Sequence, residues 1–133
     1  MNKIPSSGAT DKTQAPCTHD ELIRLLKKLG ISHSTVSHEP MFTVTDSKKL
    51  RATDPSGGYT KNLFLRNKKG LMWLVTCNED RKIDLRSLAQ ALGAGRFSFG
   101  SVQRLVRYLG VTPGAVSPLA LVNDTGSAVR FAI

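Results

Sequence analysis

The run LMWLVT, residues 71–76, limits what this chain can fold into more than any other stretch. It is too short for a typical helix and has none of the polar alternation of a half-exposed strand, so it reads as a strand covered on both faces. Just before it, YTKNLFLR alternates Leu63 and Leu65 with Phe64 and Arg66, and Asn-Lys-Lys-Gly then turns the chain. Two extended runs joined by so short a polar turn predict a β-hairpin. A strand buried on both faces requires helices to cover it, and the flanking sequence contains them.

Upstream, THDE is a capping-box pattern with Thr18 as N-cap, and Leu22, Leu25, Leu26 and Leu29 recur at helical spacing before Gly30. Downstream, Asp84 is placed to cap a helix whose apolar face is Leu85, Leu88, Ala89 and Leu92, with Gly93 as its stop. Ser101 is placed to cap another, with Val102, Leu105, Val106 and Leu109 as the buried stripe and Gly110 as the stop. SHSTVSHE, residues 32–39, reads as a strand ended by Pro40, and a short helix is expected to begin near Asp46. DPSGGYT reads as a loop, LALV (119–122) as a strand, NDTGS as a turn and AVRFAI as a last strand. The expected class is α+β, one mixed-sheet domain over 18–133 with a mostly antiparallel central sheet and flanking helices. Residues 1–17, rich in Ser, Thr, Pro and Gly without an apolar stretch, read as a disordered lead-in and not as a secretory signal.

Charge narrows the partner class. Nineteen Lys and Arg against ten Asp and Glu make the net charge +9, and between Ser87 and Asn123 there is no acidic residue while Arg96, Arg104 and Arg107 are present. That balance favours a polyanion. Aromatic residues are only 6% of the chain and are not interleaved with basic ones, so no base-stacking platform is expected. The two cysteines, Cys17 and Cys77, make neither a disulfide framework nor a metal motif, which fits a reducing, cytoplasmic setting. No apolar run approaches the roughly 20 residues that a membrane-spanning helix needs.

No phosphate-cradling glycine motif, nucleophile elbow or metal-ligand spacing around His19, His33 or His38 is present, and neither metal nor cofactor is expected. Two features remain. Lys61 and Asn62 stand at the mouth of the hairpin, and GAVSP (Gly114, Ala115, Val116, Ser117, Pro118) is a short loop whose glycine allows close approach to the main chain. Read alone, Lys61 is an ordinary solvated strand-end cation and GAVSP an ordinary turn.

Together and in order, the segments HEPMFTVTDS, TKNLFLRNKKGLMWLVT, LGAGRFSFGSVQRLVRYLGVTPGAVSPLAL and VND resemble the YbaK/ProX family of aminoacyl-tRNA editing proteins, also called the prolyl-tRNA synthetase-associated domain. The combination of KNLFLR with LGVTPGAVSP is similar to the freestanding alanyl-tRNA(Pro) deacylases of that family. The resemblance implies a trans-editing hydrolase that cleaves the aminoacyl ester of mischarged tRNA(Pro), with alanine as the expected amino acid and cysteine as the alternative. It places Lys61 on the family's essential lysine and Asn62 on its neighbour. GAVSP falls on the G-x-x-x-P loop that orients the ester, and Phe42, Thr43 and Val44 on a segment beside the amino-acid pocket. The implied partners are the acceptor end of tRNA(Pro) and, as a second candidate, prolyl-tRNA synthetase. Against the family pattern, the chain ends at AVRFAI before a further stretch with a His-Pro motif and an asparagine, so part of the pocket and the cover of the last strand are expected to be missing. That departure keeps a second reading open, a non-catalytic tRNA- or synthetase-binding module of the same fold. The charge alone keeps a third, a general nucleic-acid-binding protein.

Overall fold

A computed structural model of the protein describes residues 15–39, 45, 48 and 56–133. The expected helix start near Asp46, the segment Phe42–Val44 and nearly all of the lead-in lie outside the described residues. The chain forms two compact units, one over Cys17–Gly57 and one that contains Gly58–Ile133.

In the first unit, α1 spans His19–Lys28, and the THDE pattern forms the expected reciprocal cap. The Glu21 N–H donates to Thr18 Oγ1 at 3.2 Å, and the Thr18 N–H donates to Glu21 Oε1 at 2.9 Å. Two of the helix's orphan N-terminal donors are thereby satisfied. Beyond Gly30 the expected strand SHSTVSHE does not form. Residues 31–38 are irregular and exposed, and the rings of His33 and His38 pair through Nδ1 with the nearby carbonyls of Ile31 and Glu39. Those two histidine bonds are to local backbone and not to a neighbouring strand.

The second unit is built on a four-stranded sheet. Strands β1 (Thr60–Arg66) and β2 (Met72–Asn78) form the expected antiparallel hairpin, in register from Thr60 opposite Asn78 to Arg66 opposite Met72. A two-residue strand, β3 (Ser98–Phe99), pairs antiparallel with β1, and β4 (Val129–Ala132) pairs parallel with β2. The order β3-β1-β2-β4 puts β2 inside the sheet, and its first five residues are buried, as its unbroken apolar run requires.

Helices α2 (Leu85–Ala91) and α3 (Val102–Leu109) supply the covers, each with the expected cap. The Asp84 carboxylate accepts from the Arg86 N–H and the Ser87 hydroxyl, and the Ser101 hydroxyl accepts from the Arg104 N–H. Gly110 ends α3 in the left-handed conformation, φ 64°. On one face of the sheet Leu65, Trp73 and Val75 pack with Ala89, Ala94 and Phe97. Trp73 and Phe97 meet edge to face, their ring centroids 5.0 Å apart. On the other face Phe64, Met72 and Leu74 pack with Leu105, Leu109, Ala120 and Val129.

The expected strand LALV is instead part of a 3-10 helix, Pro118–Asn123. Pro118 has the fixed φ of a first helical residue, and the Ser117 hydroxyl accepts from the Leu119 N–H at 3.1 Å. A four-residue apolar run does not by itself separate a strand from a buried helical turn. Here its flanking residues decide, and Ala120 is the residue it buries. No described helix is long and apolar enough to cross a membrane.

Candidate functional site

Side chains alternate across a strand, so Lys61 and Asn62 leave β1 on opposite faces of the sheet. Asn62 shares its face with Phe64 and projects toward the α3 side. Its Nδ2 donates to the Val116 carbonyl at 3.0 Å, across 54 residues of sequence. Its Oδ1 accepts from the Thr76 hydroxyl at 2.6 Å, directly across the ladder from β2. The hairpin mouth is thus joined to the GAVSP loop through one side-chain amide.

The loop itself begins with a 3-10 turn, Pro113–Ala115, in which the Ala115 N–H donates to the Thr112 carbonyl at 2.9 Å. Val116 is half-buried against the Phe64–Leu105 cluster, and the Ser117 carbonyl accepts from the Ala120 N–H. Gly114 is exposed, its φ is not left-handed, and a Cβ added there would meet nothing within 4 Å. Among the described residues, neither backbone strain nor packing calls for glycine at 114.

Lys61 lies on the face of Leu63 and Leu65 and is half-buried. Its Nζ donates to the backbone carbonyl of Arg81, in the connection between β2 and α2. That contact does not bring its ammonium to the loop. Of the sequence-predicted residues, then, the structure joins Asn62 to Val116, with Gly114, Ala115, Ser117 and Pro118 in the same loop. Lys61 stands one residue away on the strand but faces the other way. Phe42, Thr43 and Val44 are not among the described residues.

Three polar residues that sequence reasoning passed over organise the surroundings. Thr76, 3% exposed, closes the apolar run of β2 and holds Asn62. Asn123 donates to the Leu109 carbonyl at 2.9 Å, satisfying the C-terminus of α3. Asp124 accepts the Ala128 and Val129 N–H groups, at 3.0 and 2.8 Å, and launches β4. The signal for the last two was the VND segment. For Thr76 it was a single polar residue at the end of an otherwise apolar strand.

A cleft of about 710 Å³ lies on the α2 side, lined among others by Cys77, Arg81, Lys82, Leu88, Ala132 and Ile133. It adjoins the Arg81 segment that Lys61 holds and does not include the Asn62–Val116 junction.

Residues 38–130 match the aminoacyl-tRNA editing domain, a span that contains Lys61, Asn62 and the whole GAVSP loop. The chain belongs to that family. It is 38% identical over 110 residues to the prolyl-tRNA editing protein ProX of Acetoanaerobium sticklandii, covering 82% of this chain and 66% of that protein. It is also 38% identical over 109 residues to the prolyl-tRNA synthetase associated domain-containing protein 1 of Danio rerio, covering 82% of this chain and 59% of that protein. The chain thus spans less than two thirds of the length of these relatives. Among solved structures, the crystal structure of hypothetical protein APE2540 superposes with a TM-score of 0.65 over 83% of this chain and 70% of that one. At 18% identity that likeness speaks for the fold alone.

Proposed function

We propose that this protein hydrolyses the ester of mischarged aminoacyl-tRNA(Pro), with alanine as the amino acid removed. The observation that carries the reading is the Asn62–Val116 hydrogen bond, which ties the lysine-asparagine strand end to the exposed Gly114 loop. Family membership and the +9 charge support it.

The chemistry suits these residues. An aminoacyl ester is an activated acyl donor, so holding it beside a water and stabilising the oxyanion lowers the barrier without a covalent nucleophile. Water adds to the carbonyl carbon. The tetrahedral intermediate then expels the ribose oxygen, which takes up a proton. Main-chain groups of the Gly114–Ser117 loop orient the carbonyl, and discrimination against proline is by size, the logic of a sieve. Lys61 exchanges the Arg81 carbonyl for the terminal phosphate, which a flexible four-carbon stem at a strand end allows.

The test is deacylation of Ala-tRNA(Pro) and Cys-tRNA(Pro) by wild type and Lys61→Ala. Wild type is expected to act faster on the alanyl ester, and Lys61→Ala to lose about a hundredfold or more in rate. Equal rates for the two proteins would remove Lys61 from the reaction. One observation favours a second reading, a non-catalytic tRNA-binding module: the Lys61 ammonium is engaged by the Arg81 carbonyl on the face away from the loop. Binding of tRNA(Pro) without any ester hydrolysis would establish that reading in place of the first.

A further inference from the structure

Thr76 is the one polar residue among the first five of β2's buried positions, Met72–Thr76, at 3% exposure. A buried hydroxyl without a partner costs about 1–3 kcal/mol, so its partner is informative. That partner is Asn62 Oδ1, at 2.6 Å. A side-chain amide has a donor end and an acceptor end, and which points where follows from its neighbours. The Val116 carbonyl, 3.0 Å from Nδ2, can only accept. Only one orientation of Asn62 therefore satisfies both contacts. In the flipped orientation the amide oxygen would face the Val116 oxygen.

We propose that Thr76 is a positioning residue for the editing site. Its hydroxyl donates to Asn62 Oδ1 and so anchors the amide whose Nδ2 holds the Val116 carbonyl, and through Val116 it sets the loop that presents Gly114. The role rests on the editing reading above, but its geometric half does not depend on turnover. With Thr76 in place, the Asn62 amide is engaged at both ends and holds the loop.

The test compares Thr76→Val, which keeps the shape and removes the donor, with Thr76→Ser, which keeps the donor. Two readouts are needed: ¹⁵N–¹H spectra of the free protein, and kcat and KM on Ala-tRNA(Pro). Thr76→Val is expected to shift the Asn62 side-chain amide and the backbone amides of Gly114, Ala115, Val116 and Ser117. It should lower kcat by roughly tenfold and change KM by less than about twofold. Thr76→Ser restores both the spectra and kcat. Unmoved Asn62 and loop signals in Thr76→Val would overturn the proposal. So would equal impairment of the two variants, which marks a packing role. If wild type itself has no deacylase activity, the editing reading fails, and the spectral comparison still decides whether Thr76 sets the loop.

Discussion

Two glycines separate what the fold needs from what a ligand would need. A Cβ at Gly100 would lie 2.4 Å from two ring carbons of Phe64, in the core beneath α3. Gly100→Ala is expected to cost about 1–3 kcal/mol, read as a lower midpoint in urea unfolding. At Gly114 the same methyl meets open space and no left-handed backbone. Gly114→Ala should therefore leave stability within about 0.5 kcal/mol, and on the proposed reading, in which the loop backbone meets the ester, it should lower deacylation. If Gly114→Ala retains full activity, the main chain at this position does not touch substrate. The glycine in GAVSP was visible in the sequence, but its freedom from internal packing was not, since that depends on what the fold leaves beside it.

At the scale of elements, the hairpin turn is fastened by Asn67, 6% exposed, more firmly than Asn-Lys-Lys-Gly suggests. Its Oδ1 accepts from the Leu71 N–H at 2.9 Å, and its Nδ2 donates to the Ala94 carbonyl, binding the turn to the segment after α2. Asn67→Ala leaves a buried carbonyl unpaired and is expected to cost about 2 kcal/mol or more in chemical denaturation.

The helix caps predict an acid response. The backbone bond to Thr18 holds the Glu21 carboxyl below its ordinary 4.5, and the Ser87 hydroxyl holds Asp84 below its ordinary 3.8. A depressed carboxylate contributes stability above its unfolded value and loses it as pH falls through its folded one. Both caps should accordingly hold at pH 6 and weaken below about pH 4. A thermal-denaturation series against pH reads this, and in Asp84→Asn the Asp84 share of the acid response should disappear. Helices with sequence caps were legible because capping is local chemistry. The strand expected in LALV did not form because Ser117 and Pro118 start a helical turn there, and SHSTVSHE is irregular, with His33 and His38 bonded to nearby carbonyls.

Across the whole molecule, charge is the property most directly readable from composition. The exposed Lys68 and Lys69 stand at the hairpin turn, and the Arg104 guanidinium lies about 4.0 Å from where a side chain on Gly70 would begin. The Nε of Arg66 is buried without a hydrogen-bond partner among the described residues. Binding of tRNA is expected to weaken steeply with salt. An interface that neutralises about six phosphates loses on the order of a thousandfold in affinity between 50 and 200 mM salt. A flat response would mean that docking does not use the positive charge. Competition with DNA distinguishes an editing domain from a general nucleic-acid binder, since the latter holds both alike.

The sequence by itself determined the hairpin, the three capped helices, the mixed α and β class, the basic surface and the residues on which the family resemblance rests. Each of these follows from spacing, capping or composition within a short window. Only the tertiary structure decided that β4 joins β2 in parallel, and which partners Lys61 and Asn62 meet on the two faces of the sheet. It also decided the Thr76–Asn62–Val116 connection, which joins residues up to 54 positions apart. Such contacts arise where strand register and covering helices bring distant backbone together, and no local pattern encodes that meeting.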